Sequence, residues 1–148
     1  MPCAVACSAI AREEAAGLYD AATYQELGAR IGRLKDALGK QLRELKAQGK
    51  RIAGFGAPAK ATTLMYQFGI GPDVIEYIMD DSPWKQGKYS PGLHIPVVPS
   101  SYLYDPARRP DAVVVLAWNF AEPIINKHDA FTKAGGRFIV PLPELRVI

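Results

Sequence analysis

The chain is 148 residues long, 49% hydrophobic and 22% charged, with a formal net charge of +3. That is enough sequence for one globular domain burying roughly two thirds of the surface its unfolded chain exposes, and it excludes disorder throughout. No apolar run approaches the ~20 residues of a membrane helix, and so mild a positive excess does not argue for nucleic acid.

Residues 1–19 read as a solvated terminal segment. Its two cysteines, Cys3 and Cys7, cannot build a disulfide framework, and a lone C-x-x-x-C lacks the four ligands of a structural zinc site. Met1–Ile10 has no basic stretch before its small apolar residues, so it does not read as a signal peptide, and the expected location is cytoplasmic.

A long helix follows over 20–49. Thr23 with Glu26 three residues on reads as a capping box, with Asp20 as an earlier candidate cap. Tyr24, Leu27, Ile31, Leu34, Leu38, Leu42 and Leu45 keep the helical period, and Gly49 stands where a terminating glycine belongs. Such a helix is roughly 40 Å long. A domain of about 100 residues is only about 30–35 Å across, so the helix is expected to overhang it and to pack on a neighbouring domain or a second copy of the chain. Gly28, Gly32 and Gly39 beside the apolar stripe point either to close approach of another backbone or simply to a poor helix.

From Arg51 the pattern alternates between strands and helices. Residues 51–55 read as a buried strand, and 56–60 turn into a helix that runs to about Phe68 and stops at Gly69. Residues 74–79 read as a second strand ending at Asp80-Asp81, and 82–93 as a loop. A brief strand follows at 95–98, and the almost wholly apolar 112–117 reads as a strand covered on both faces. Residues 122–134 read as one helix, Gly135-Gly136 as its stop, 137–140 as a last strand and Pro141–Pro143 as a stiff exit. The expected fold is α/β, a Rossmann-like open and mostly parallel sheet with flanking helices, preceded by one long N-terminal helix.

Ligands of such sheets bind outside the carboxyl ends of the strands, where the unusual residues of this chain collect. Gly54-Phe-Gly56-Ala-Pro-Ala59 is a G-x-G-x-x-A turn opening a helix. Its glycines allow a phosphate close to the backbone, its free N–H groups can bind it, and Lys60 adds charge. A tight strand-to-helix turn also needs glycine without any ligand. Asp80, about two dozen residues after Gly56, stands where dinucleotide-binding folds keep an acid for a ribose hydroxyl. Asp81 competes for that role, and a turn or capping function stays open. Ser82, Lys85, Gln86, Tyr89 and His94 lie in a loop dense in charge, amide and aromatic groups, with His94 readable as a satisfied loop histidine or a catalytic one. His128, between Lys127 and Asp129, reads as helix surface. Trp118 and Asn119, at the end of the fourth strand, offer a stacking face and a two-way hydrogen bonder for a base or sugar, although core packing also accounts for the tryptophan.

Five motifs carry a resemblance. Gly54-Phe-Gly-Ala-Pro-Ala-Lys60, Asp80-Asp-Ser-Pro-Trp-Lys-Gln-Gly87, Pro91-Gly-Leu-His-Ile-Pro96, Leu116-Ala-Trp-Asn-Phe120 and Gly135-Gly-Arg-Phe-Ile-Val-Pro-Leu-Pro143 occur in this order. Together they resemble the C-terminal domain of SAM-dependent sugar C-methyltransferases, over roughly Gly49–Pro143. The preceding helix is similar to that family's connector. The resemblance implies that 50–148 is a Rossmann-like domain holding a nucleotide-sugar, most often a dTDP-sugar. S-adenosylmethionine and zinc would belong to preceding domains that this sequence does not contain, so the chain alone is expected to bind substrate, hold no cofactor and leave the chemistry to a methyltransferase domain. By strand-end position and chemistry, Gly54, Gly56, Ala57 and Lys60 would hold the diphosphate, Ser82, Lys85 and Gln86 would close over phosphate or ribose, and Tyr89, His94, Trp118 and Asn119 would face base or sugar. Partnership with the methyltransferase domain, or self-association through the 20–49 helix, is expected; nucleic acid and membrane are not. The competing readings are a small NAD-type dinucleotide-binding domain, from the glycine turn and Asp80, and a non-catalytic assembly module built on the long helix.

Overall fold

The computed structural model of the protein describes residues 4–148. It divides into two compact units, with the boundary between Arg33 and Leu34. Cys3 lies outside the described residues.

The segment expected as a solvated terminus is helical and exposed over most of its length. Helix α1 spans Ala4–Ala15, and α2, Ala21–Ala47, begins in this unit. Cys7 is free and exposed on α1. Between the helices the chain turns at Gly17, with φ of 69°. Thr23 does not form the expected capping box. It sits inside the first turn of α2 with its hydroxyl donating to the Gly17 carbonyl at 2.8 Å, and Glu26 pairs instead with Arg33. Asp20 directly precedes the helix. The stripe of α2 is buried only at Leu38, Leu42 and Leu45, whereas Tyr24 and Leu27 are exposed. A Cβ on Gly28 or Gly32 would meet nothing within 4 Å, and one on Gly39 would meet only the Arg43 side chain. No close backbone approach among the described residues therefore accounts for these glycines.

The second unit carries the sheet. Its elements are β1 (Ile52–Phe55), α3 (Ala59–Phe68), β2 (Ile78–Asp80), β3 (Val97–Pro99), β4 (Ala112–Val115), α4 (Ala121–Lys127), α5 (Asp129–Lys133), β5 (Arg137–Val140) and β6 (Arg146–Val147). The strand order is β3-β2-β1-β4-β5-β6. β1 to β5 pair in parallel and β6 pairs antiparallel with β5. That order, with its reversal between β1 and β4, is the one that opens a crevice at the carboxyl ends of those two strands in doubly wound sheets.

Successive strand residues face opposite sides. Ala53, Phe55, Val113, Val115, Phe138 and Val140 join Ala121, Ile125 and Phe131 in one core beneath α4 and α5. On the other side Gly54 lies so close to Leu116 that an added Cβ would stand 2.8 Å from its Cδ1. This absence of a side chain, as much as any ligand, accounts for the first glycine of the turn.

Several elements depart from the expected limits. The second strand begins at Ile78 because the Gly71 carbonyl accepts from Val74 and Ile75 N–H, curling residues 71–75 into a turn. The third starts at Val97 and the fourth ends at Val115, after which Trp118–Phe120 form a 3-10 turn leading into α4. The single helix expected over 122–134 is two, parted at His128, whose φ of −113° and ψ of 30° leave the helical range. β6, beyond the strand expected to be the last and beyond the Pro141–Pro143 exit, is an added strand.

Candidate functional site

The carboxyl ends of β1, β2 and β4 gather most of the expected residues into one neighbourhood. β1 delivers Gly56 with φ of 87°, a backbone that side chains rarely adopt. Its N–H donates to the Met79 carbonyl at 2.7 Å, tying the turn to β2. Pro58 then opens α3.

At the centre is Asp80, only 7% exposed. Its Oδ2 accepts the Ala57 N–H at 2.7 Å and the Lys85 Nζ at 3.0 Å, and its Oδ1 accepts the Ser82 N–H at 2.9 Å. Its main-chain carbonyl accepts the Gln86 side-chain amide at 2.9 Å. Burial pushes the acid's pKa up, but the two backbone N–H groups and the lysine outweigh it and hold the carboxyl below its ordinary range. One carboxylate thus links the glycine turn to the loop carrying Ser82, Lys85 and Gln86. The neighbouring Asp81 has other partners, accepting from Ser100 Oγ at 2.6 Å and Lys127 Nζ at 2.7 Å.

On the β4 side, Lys60 donates to Asn119 Oδ1 at 2.5 Å and stands 4.9 Å above the Trp118 ring. This joins the first turn of α3 to the 3-10 turn after β4. On the β3 side, a cleft of about 200 Å³ opens beside α3, lined by Ala57, Pro58, Met65, Lys85, Lys88 and Tyr89 among others. Tyr89 is held by an isolated bridge to Pro96. Lys88 and Pro58 were not among the expected site residues; the signal for Lys88 was its place in the same charged loop. His94 is not among the residues lining that cleft. It is exposed, in a left-handed turn with φ of 52°, and its N–H donates to the Ser90 carbonyl.

His128, expected on the surface, is instead 4% exposed. Its Nδ1 lies 2.8 Å from the Tyr104 hydroxyl, and its ring centroid is 5.1 Å from that of Phe55. Its Nε2 has no partner among the described residues. Burial, with the Lys127 charge, lowers its pKa below the ordinary 6.5, against an opposing pull from Asp81. The unfolded chain therefore takes up a proton at higher pH than the folded one, and stability falls as pH drops below about 6.5 towards the folded value. In urea unfolding at pH 7.5, 6.5 and 5.5, wild type should lose stability across this window, and His128→Gln should flatten the loss. Equal slopes in the two proteins would refute this account of His128.

Among the described residues, no three of His, Cys, Asp or Glu are placed to hold a metal ion, and no helix is long and apolar enough to cross a membrane. What the edge offers is lysines, side-chain amides and aromatic faces, a set suited to an anionic, hydroxyl-bearing ligand.

Two comparisons bear on this arrangement. The family model described as the C-methyltransferase C-terminal domain matches residues 4–143. The C-methyltransferase NovU of Streptomyces niveus is 38% identical over 143 residues, which is 94% of this chain and 33% of that protein. The chain thus spans about a third of the length of this relative.

Proposed function

Given that the chain belongs to the C-methyltransferase C-terminal domain family, we propose that it anchors a nucleotide-sugar, a dTDP-sugar as first choice, for a methyltransferase domain that carries out the chemistry. The observation that carries this reading is the meeting of the glycine turn, the Asp80 cluster and the Lys60–Trp118–Asn119 group at one sheet edge. Lys60 supplies charge for the diphosphate, and Gly54 and Gly56 let the turn that carries it pack closely on Leu116 and Ala117. Trp118 and Tyr89 supply stacking faces, and Asn119 can both donate to and accept from a base or sugar. Lys85 and Gln86, held by Asp80, form a rim that closes over the ligand.

In this reading S-adenosylmethionine serves as methyl donor and, like zinc, is held by parts of the longer family members outside this chain. The partner is that methyltransferase portion, or a second copy engaged through the 20–49 helix, and the setting is the cytoplasm. The Rossmann-like architecture supports the reading without identifying the ligand, because many functions share it.

The test is calorimetric titration with dTDP, UDP, GDP and NAD at moderate salt. Saturable binding of one nucleoside diphosphate, weakened at least tenfold by Lys60→Ala, is the expected result. Binding of NAD alone would favour the dinucleotide reading. Silence from all four in a folded sample would overturn nucleotide anchoring by this chain and leave assembly as its role.

A further inference from the structure

We propose that Asp80 is a resident anion of this edge: its carboxylate fills the seat that Ala57 N–H, Ser82 N–H and Lys85 would otherwise offer a phosphate. The ligand then meets that point through uncharged hydroxyls, and its diphosphate binds on the Lys60 side. This rests on the reading of the carboxyl edge as the ligand face.

The geometry argues for it directly. A glycine turn at a helix start normally presents free N–H groups to an anion. Here the Ala57 N–H is already bonded to Asp80 Oδ2 at 2.7 Å. The same oxygen takes the Lys85 ammonium at 3.0 Å, and Oδ1 takes the Ser82 N–H at 2.9 Å. Two backbone donors and one cation around an anion are the elements of a phosphate site, and the occupant is a side chain of the protein. A phosphate brought to the same donors would stand against a full negative charge that is too buried to be screened well by salt.

Asp80 Oδ1 has one protein donor and keeps acceptor capacity for a hydroxyl. The cations left for the ligand's phosphates are those without a carboxylate partner. Among the described residues, Lys60 bonds only the Asn119 amide oxygen and stacks over Trp118, and Lys88 lines the cleft unpaired. The site would therefore discriminate by charge position. A compound with hydroxyls at the Asp80 edge and phosphate at the Lys60 edge is admitted, and one that carries phosphate at both is refused.

Calorimetry on the full chain tests this with two probes, inorganic diphosphate and dTDP, against wild type, Asp80→Asn, Lys60→Ala and the double variant. Asparagine keeps the shape and one acceptor oxygen but removes the charge. The expectation is that Asp80→Asn tightens inorganic diphosphate at least tenfold and that the gain survives in the double variant, because the new anion sits on the turn. Wild-type affinity for dTDP should fall at least tenfold with Lys60→Ala. Unchanged or weaker diphosphate binding by a folded Asp80→Asn would overturn the proposal.

Amide shifts in the wild-type protein decide the matter if that variant does not fold. Ala57 and Ser82 N–H resonances that stay still under added diphosphate support the resident anion, and large shifts of both refute it. If dTDP is silent throughout, nucleotide anchoring fails, while the diphosphate arm and the amide shifts still decide for or against Asp80.

Discussion

Gly56→Ala should cost roughly 2–6 kcal/mol, combining about 1–3 for a side chain held in left-handed backbone with about 1–3 for overpacking. At φ of 87° the new Cβ would stand 2.5 Å from the Ala117 Cβ and 3.3 Å from its nitrogen. Neither partner can retreat freely. Gly56 N–H is held by Met79, and the Leu116 and Ala117 N–H groups both reach the Phe55 carbonyl. The alanine would force the ends of β1 and β4 apart, at the point where Lys60 and Asn119 must meet. Against a typical total stability of about 5–15 kcal/mol, that range reaches outright unfolding. Gly69→Ala is the control: it also has positive φ, at 66°, but no atom lies within 4 Å of where its methyl group would stand. Urea unfolding of the two variants separates backbone strain from close approach. Equal losses would show that contact with Ala117 contributes nothing.

The same pair of strands shows why the core of the fold was legible in the residues. Ala112–Val115 is apolar throughout and buried throughout, as a parallel strand covered on both faces must be. Gly69 closes α3 in left-handed geometry, its N–H reaching back to the last-turn carbonyls of Met65 and Tyr66. Those are local signals. β6 has none, since Arg146 and Val147 form a strand only because β5 presents an edge to them. His128 misled for a related reason. A histidine between a lysine and an aspartate has the composition of a helix surface, yet Phe55 and Tyr104, both distant in sequence, cover it.

In the candidate site the residue types were legible and their pairings were not. Asp80 and Asp81 are adjacent and chemically equal, but neighbouring residues at a strand end point to opposite faces. One turns to Ala57 and Lys85, the other to Ser100 and Lys127. Only the strand order decides which acid meets the glycine turn. Likewise Lys60 and Asn119 are 59 residues apart, and their contact exists because β1 and β4 are neighbours. The Ala57 N–H, which the motif offers to a phosphate, is bonded to the protein's own carboxylate, a fact of tertiary structure that no spacing reveals.

That carboxylate makes Asp80→Ala the second large effect. Removing it leaves the Ala57 and Ser82 N–H groups and the Lys85 ammonium without their acceptor, at roughly 2–6 kcal/mol if each backbone donor costs about 1–3. Partial access of water at Ala57 and Ser82 favours the lower half of that range. The pH dependence identifies the cause. A carboxyl whose folded pKa lies below its ordinary 3.8 stabilises the fold above that value, and the contribution disappears as pH falls through the folded pKa. The gap between wild type and Asp80→Ala should thus be full at pH 7 and shrink on acidification below about pH 4. Asp81 and Asp111 are also depressed and weaken the fold in that same acid range. They are present in both proteins, so their effects cancel in the difference. His128 acts at higher pH and cancels too. Urea unfolding of both proteins at pH 7, 5 and 3 measures the gap directly. A gap that stays constant with pH would mean the alanine acts through lost packing, whereas one that closes in acid would identify the charge itself as what holds the glycine turn to its loop.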